Sequence, residues 1–263
     1  MSDGILYGVI VGGFVGAAAG YLGSIMISKR MALVGDALSH VALPGLALGL
    51  LFNFNPFVGA FAFLATTATL TWYLERSTEL PVESIIGVLF VLALAVGILI
   101  TPQVDLLEAL FGDVSKVTLT DVALTAAVSV GVVLVLRVIY DRLTLTMISR
   151  ELAVSNRVNV DAINLVYLLL VSIIVAVGIK EVGTLLVGAV VIVPAAAARN
   201  VTRSLNQYAL VSAAFGVISA LVGVILSAWV DEPAGPLVVL AGAGLFAFGF
   251  AVRLSRRRTS VAA

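Results

Sequence analysis

Asp36 and His40 stand four residues apart in the stretch at 31–50, MALVGDALSHVALPGLALGL, which is otherwise almost wholly apolar. His40 is the only histidine in the chain. On a helix, residues i and i+4 share a face, about 40° apart around the axis and roughly 6 Å along it. The carboxylate and the imidazole therefore point the same way. Counted from Met31 at about 1.5 Å per residue, they reach roughly 8 and 14 Å into a hydrocarbon core about 30 Å thick. A charged side chain at that depth is costly unless it faces a partner or a wet cavity. Two readings follow. A hydrogen-bonded Asp–His pair could lock two helices together, or the two groups could form a site for a cation or proton on a pathway. Carboxylate oxygen with imidazole nitrogen suits divalent first-row metals such as Zn, Mn or Fe(II). The chain has no cysteine, which argues against Cu(I) and excludes disulfides. Two ligands from one helix are too few for a closed site. A homodimer with this helix on its two-fold axis supplies four.

Other chemistries lack their residues. No GxxxxGK[ST] loop occurs, so ATP hydrolysis by that route is excluded. Ser39 and His40 are adjacent and diverge by about 100° on a helix, a poor nucleophile–base pair. No HExxH motif occurs, and an intramembrane enzyme is not expected. Formal net charge is zero, which gives no argument for nucleic acid.

The elements that must hold Asp36 and His40 are membrane helices. Of the 263 residues, 61% are hydrophobic and only 11% charged, against about a quarter charged in soluble domains. The expected fold is an all-α polytopic membrane bundle forming a single domain over 1–263. Nine apolar spans are expected, at 4–27, 31–52, 56–74, 82–100, 119–140, 161–179, 182–199, 205–229 and 236–253. Each must be helical or buried, because lipid offers no partner to free backbone groups. The connection at 178–182 is tight, and eight spans is the alternative count. The segment 102–118, with Asp105, Glu108 and Asp113, suits a short outer or re-entrant helix, its carboxylates either gathering ions or solvating a loop. The first span is too long for a signal-peptide core, so no cleavable signal is expected. With the N-terminus outside, Lys29, Arg30, Arg76, Arg137, Arg142, Arg150, Arg157, Arg199, Arg203, Arg253, Arg256, Arg257 and Arg258 face the cytoplasm, leaving only Lys116 and Lys180 outside. That bias obeys the positive-inside rule.

Finer features follow from single residues. Pro44, one turn beyond His40, removes a helix hydrogen bond and predicts a kink that opens backbone carbonyls toward a lumen. Pro194 does the same in the seventh span, ahead of the small run at 195–198. Gly12, Gly16 and Gly20 form two overlapping GxxxG units, and Gly45 and Gly49 another, which predicts close helix contacts. The cytoplasmic loop 141–160 contains a candidate short helix at 149–157, with Ser149 as its N-cap and Glu151 in its first turn. It reads either as a connector or as a docking element for a cytoplasmic partner.

The stretch KRMALVGDALSHVALPGLALG resembles the signature of the permease subunit of zinc, manganese and iron uptake ABC transporters, the ABC-3 family: roughly R-M-x-x-x-G-D-x-(LI)-x-H-x-x-L-x-G. DLLEALFGDVSKVTLTD, VGTLLVGAVVIVPAAAAR and DEPAGPLVVLAGAGLF agree in order and spacing, so the resemblance covers essentially the whole chain. It implies a type II ABC-importer-like bundle in a prokaryotic plasma membrane, forming a homodimer. It also implies an ATPase subunit on each inner face, and an extracellular or periplasmic metal-binding protein that delivers the ion. Asp36 and His40 match the family's metal ligands on the path of a transported Zn, Mn or Fe ion, with no permanently bound cofactor. The segment 149–157 falls at the coupling helix, which rests in a groove of the ATPase, so Ser149, Arg150, Glu151, Leu152 and Ala153 are the expected contacts. The family often reads D-P-E-x-A-x-x-x-G there, whereas this chain has Ser149, Arg150, Glu151, Ala153 and Arg157. Two alternatives use the same features: a proton-coupled secondary metal transporter and a siderophore- or cobalamin-type ABC permease.

Overall fold

The computed structural model describes residues 3–78, 80–100 and 117–261. Among the described residues, nine helices follow in order: α1 (Asp3–Ser28), α2 (Ala32–Leu51), α3 (Pro56–Ser77), α4 (Val82–Ile100), α5 (Leu119–Ile148), α6 (Arg150–Ser155), α7 (Val160–Arg199), α8 (Leu205–Val230) and α9 (Ala234–Val261). No strand occurs among the described residues. Polar residues start the helices. Asn55 accepts from the Phe57 N–H at 3.0 Å, with Pro56 at the first helical position. Thr118 and Asp121 form a reciprocal capping box on α5. Ser149, Asn159 and Ser204 cap α6, α7 and α8, each side chain accepting one backbone N–H of the first turn. Each cap satisfies donors that lipid or a protein interior would leave unpaired.

Among the described residues, eight segments are long and apolar enough to cross a membrane, and they include the first part of α7, Val160–Ile179. The expected span at 182–199 falls in the second part of α7, which runs on to Arg199 and includes the apolar helix Leu186–Arg199 among the described residues. Gly183 separates the two parts of α7 with φ 74°, ψ 168°, a backbone region open essentially to glycine. A methyl group added at Gly178 would strike the Val187 side chain. Nine residues along a straight helix are about 13 Å apart, so the chain must fold back between them. Pro194 lies buried within the returning helix, and the non-helical backbone falls at Gly183 rather than at the proline. The expected helix at 102–118, with Asp105, Glu108 and Asp113, lies almost wholly outside the described residues.

The loop expected at 141–160 is shorter than its sequence suggests. α5 continues to Ile148, past the charged Asp141 and Arg142, because Tyr140 and Leu143 are buried in the core and hold the helix against its neighbours. What remains of 141–160 is mostly α6, a six-residue helix at Arg150–Ser155.

α1 runs through the centre, packed on α7, α8 and α5, while α2 packs between α3, α4 and α7. Tyr167 of α7 is fully buried, and its hydroxyl donates to the Leu22 carbonyl of α1 at 3.2 Å. Large apolar side chains point outward instead, among them Leu99, Val138, Trp229 and Phe248. That inversion is expected where hydrocarbon is the solvent. The glycine motifs supply the close contacts. Gly16 and Gly216 meet backbone to backbone across α1 and α8, and Gly45 meets Gly59 across α2 and α3. A methyl at Gly16 would collide with the Gly216 carbonyl, whereas one at Gly13 meets nothing within 4 Å. Gly16→Ala should therefore destabilise by about 1–3 kcal/mol through overpacking. Gly13→Ala should leave stability unchanged or slightly raise it through helix propensity. Thermal unfolding of the two variants in one detergent checks this contrast.

Candidate metal centre

α2 is a continuous helix from Ala32 to Leu51 with Pro44 inside it. Most of its surface is sealed: Val34, Gly35, Leu38 and Ser39 are buried, as is every residue from Val41 to Ala47. The uncovered stripe of its first half carries Leu33, Asp36, Ala37 and His40. Asp36 and His40 are each half-buried there, on one face, as their spacing requires.

Among the described residues, neither side chain finds a hydrogen-bond partner. The Asp36 carboxylate makes no hydrogen bond or ion pair among the described residues, and only its backbone carbonyl is engaged, by the Ser39 hydroxyl at 2.6 Å. The Nδ1 atom of His40 is buried and has no hydrogen-bond partner. A bond between Asp36 and His40, which would have made them a structural pair, is not formed. The imidazole instead packs on the Phe90 ring of α4, with centroids 5.4 Å apart and planes tilted by 52°. Pro44 lacks the N–H that would bond the His40 carbonyl one turn earlier, and Gly97 of α4 lies against the proline ring.

α7 supports α2 from the other side. Gly188 sits directly on the Asp36 backbone, where a methyl group would fall 2.8 Å from the Asp36 nitrogen and closer still to its Cα. Sequence reasoning did not single out Gly188 or Phe90. Gly188 falls outside the GxxxG spacings, and Phe90 is one aromatic in an apolar run.

One chain therefore brings one carboxylate and one imidazole to this face. No group of three or more His, Cys, Asp or Glu residues gathers among the described residues. A metal bound here needs further ligands from outside the chain or from water.

A second polar region lies at the end of the bundle that carries α6. A cavity of about 360 Å³ is lined by Lys29, Glu75, Glu83, Asn164 and Tyr167, among others. Lys29 donates to Asn164 Oδ1 at 2.6 Å and rests over the Tyr167 ring. Burial lowers its ammonium to about 8, an effect that the Glu75 carboxylate partly offsets. α6 itself buries only Ala153, leaving Leu152 and Val154 exposed. Ser149 caps it by accepting from the Leu152 N–H at 3.2 Å, and the Ser149 hydroxyl donates to Glu151 at 2.6 Å. That bond holds the Glu151 carboxyl below its usual range.

The family model described as the ABC 3 transport family matches residues 1–253. The chain belongs to the ABC-3 family. This ABC-3 protein is 35% identical to the manganese transport system membrane protein MntC of Halalkalibacterium halodurans, a match covering 90% of this chain and 82% of that one. It is 32% identical to the high-affinity zinc uptake system membrane protein ZnuB of Haemophilus influenzae, over 86% of this chain and 88% of that one. Its fold matches a chain of PsaBC from Streptococcus pneumoniae, solved in complex with Fab, with a TM-score of 0.82 and 28% identity. That match covers 93% of this chain and 90% of the other.

The contact of Gly188 with Asp36 makes the placement of Asp36 sensitive to a methyl group on α7. Gly188→Ala should push α2 away from α7 and weaken Mn²⁺ binding by roughly 10–100-fold, as loss of supporting groups does at metal sites. Gly244→Ala, where the added methyl meets nothing within 4 Å, should bind as wild type. Isothermal titration of Mn²⁺ into the three proteins measures the difference.

Proposed function

We propose that this chain is the permease subunit of an ATP-driven ABC importer that carries a divalent transition metal, Zn or Mn, into the cytoplasm. The observation that carries the metal assignment is the pairing of Asp36 with His40 on the uncovered stripe of α2, with the buried Nδ1 of His40 unpartnered. Two copies of the chain meet across that stripe, so that two carboxylates and two imidazoles converge. An external binding protein delivers the ion between the copies. The four side chains replace the hydration it loses, firmly enough to select and weakly enough to release. Protons compete with the ion for both ligand types, so binding weakens as pH falls.

The N-terminus lies outside and the C-terminus in the cytoplasm, by the bias of lysine and arginine toward one side. α6 then faces the cytoplasm and is the coupling helix, with Leu152 and Val154 exposed for an ATPase subunit. Closure of the two ATPases presses α6, and the bundle responds where its helices are weakest. Pro44 and Pro194 each delete a backbone hydrogen bond, letting α2 and the second half of α7 bend. Zn and Mn both accept this ligand set, and the order of affinities favours Zn.

The test is ATP-dependent uptake of Mn²⁺ and Zn²⁺ by proteoliposomes holding the permease with its ATPase and binding protein. Wild type should import one or both ions only with ATP. Asp36→Ala and His40→Ala should each lower the rate by about tenfold or more at equal protein. Wild-type uptake that needs no ATP and collapses with an uncoupler would replace this reading with a proton-coupled carrier.

A further inference from the structure

Two basic side chains from different helices meet on one carboxylate at the start of α7. Arg150 of α6 places Nη2 3.2 Å from Asp161 Oδ1. Arg76 of α3 places Nε 3.5 Å from Asp161 Oδ2. The geometry is braced. The Trp72 indole N–H donates to the Asp161 carbonyl at 2.8 Å, and the Arg76 guanidinium stacks 4.8 Å from the Trp72 ring centroid. Asp161 sits in the first turn of α7, behind the Asn159 cap, where a negative charge also suits the helix dipole.

Among the described residues, the Arg150–Asp161 contact is the one side-chain hydrogen bond or salt bridge that ties α6 to another helix. The remaining polar side-chain contacts of this segment, Ser149 with Glu151 and Leu152, and Asn156 with Leu152, are internal. Three residues further along the same face of α7, Asn164 accepts the Lys29 ammonium at 2.6 Å. Lys29 lies in the turn that leads into α2, seven positions before Asp36. The first turns of α7 therefore hold α6 and α3 through Asp161, and the entry to α2 through Asn164.

We infer that Asp161 is a positioning residue that transmits movement of the coupling helix α6, through α3 and the first turns of α7, to the helix bearing Asp36 and His40. The inference rests on the importer reading above. Asp161 touches no transported ion. It makes displacement of α6 a displacement of α3 and α7, rather than a local tilt of a six-residue helix. Exposed ion pairs contribute little to static stability, so the link can be cut without unfolding the chain.

The experiment is the ratio of ATP hydrolysed to Mn²⁺ imported in proteoliposomes of the complete transporter, for wild type, Asp161→Asn, Asp161→Glu, Arg150→Ala and the double variant Asp161→Asn/Arg150→Ala. Asp161→Asn and Arg150→Ala should each raise the ratio by about threefold or more, within the range of measured coupling effects. Thermal unfolding and Mn²⁺ binding should remain as in wild type. Asp161→Glu should restore much of the coupling, and the double variant should be no worse than Asp161→Asn alone, because Arg150→Ala removes a contact that Asp161→Asn has already broken. An unchanged ratio in Asp161→Asn, or effects that simply add, would overturn the inference while leaving the importer reading intact. Wild-type liposomes without ATP-driven uptake would overturn the importer reading and this inference with it.

Discussion

Hydrocarbon offers no hydrogen bond, so an ionisable side chain placed in it must find a partner, a wet cavity or a ligand. Asp36 and His40 meet that constraint in an unusual way. They are adjacent on one face of α2 and do not bond each other, and the imidazole keeps a buried nitrogen unpaired. The chain carries no other histidine and no cysteine. The fold thus sets a carboxylate and an imidazole side by side on the uncovered stripe of α2, neither bonded to the other. Much of the surrounding structure can be understood as support for that face: Phe90 against the ring, Gly97 against the proline one turn on, and Gly188 against the Asp36 backbone.

That support depends on small residues. Lipid tails are as apolar as leucine, so burial of apolar side chains does little to drive helices together in a bilayer. Close approach and dispersion must do it instead. Gly16 with Gly216 and Gly45 with Gly59 bring backbones into direct contact. Gly183 serves a different purpose. Its positive φ breaks α7, turning the second part of the helix back so that Val187 meets Gly178 and Gly188 meets Asp36. The polar contacts that link helices gather toward the end of the bundle that carries α6, where Lys29, Arg76, Arg150, Asp161 and Asn164 tie it together.

The helices were legible in the sequence because membrane spans are long apolar runs. Most expected edges fall within two or three residues of the observed ones. The failures have local causes. α5 runs past Asp141 and Arg142 because the buried Tyr140 and Leu143 keep it packed, and charge alone does not end a helix. The break in α7 falls at Gly183, whose positive φ no hydropathy pattern encodes. Asp36 and His40 stood out because each is rare in such a setting, and the signature around them carried the resemblance. Gly188, Phe90 and Asp161 carried no comparable signal. Their roles come from contacts made far along the chain, such as Arg76 with Asp161, and no local spacing encodes those.

The central claim is that two copies of the Asp36–His40 pair form one metal site. The direct measurement is the metal content of the purified protein by elemental mass spectrometry after equal exposure to free Zn and Mn, with wild type beside Asp36→Ala/His40→Ala. The account predicts about one ion per two chains in wild type and none above background in the double variant. Equal metal in the two proteins would contradict it.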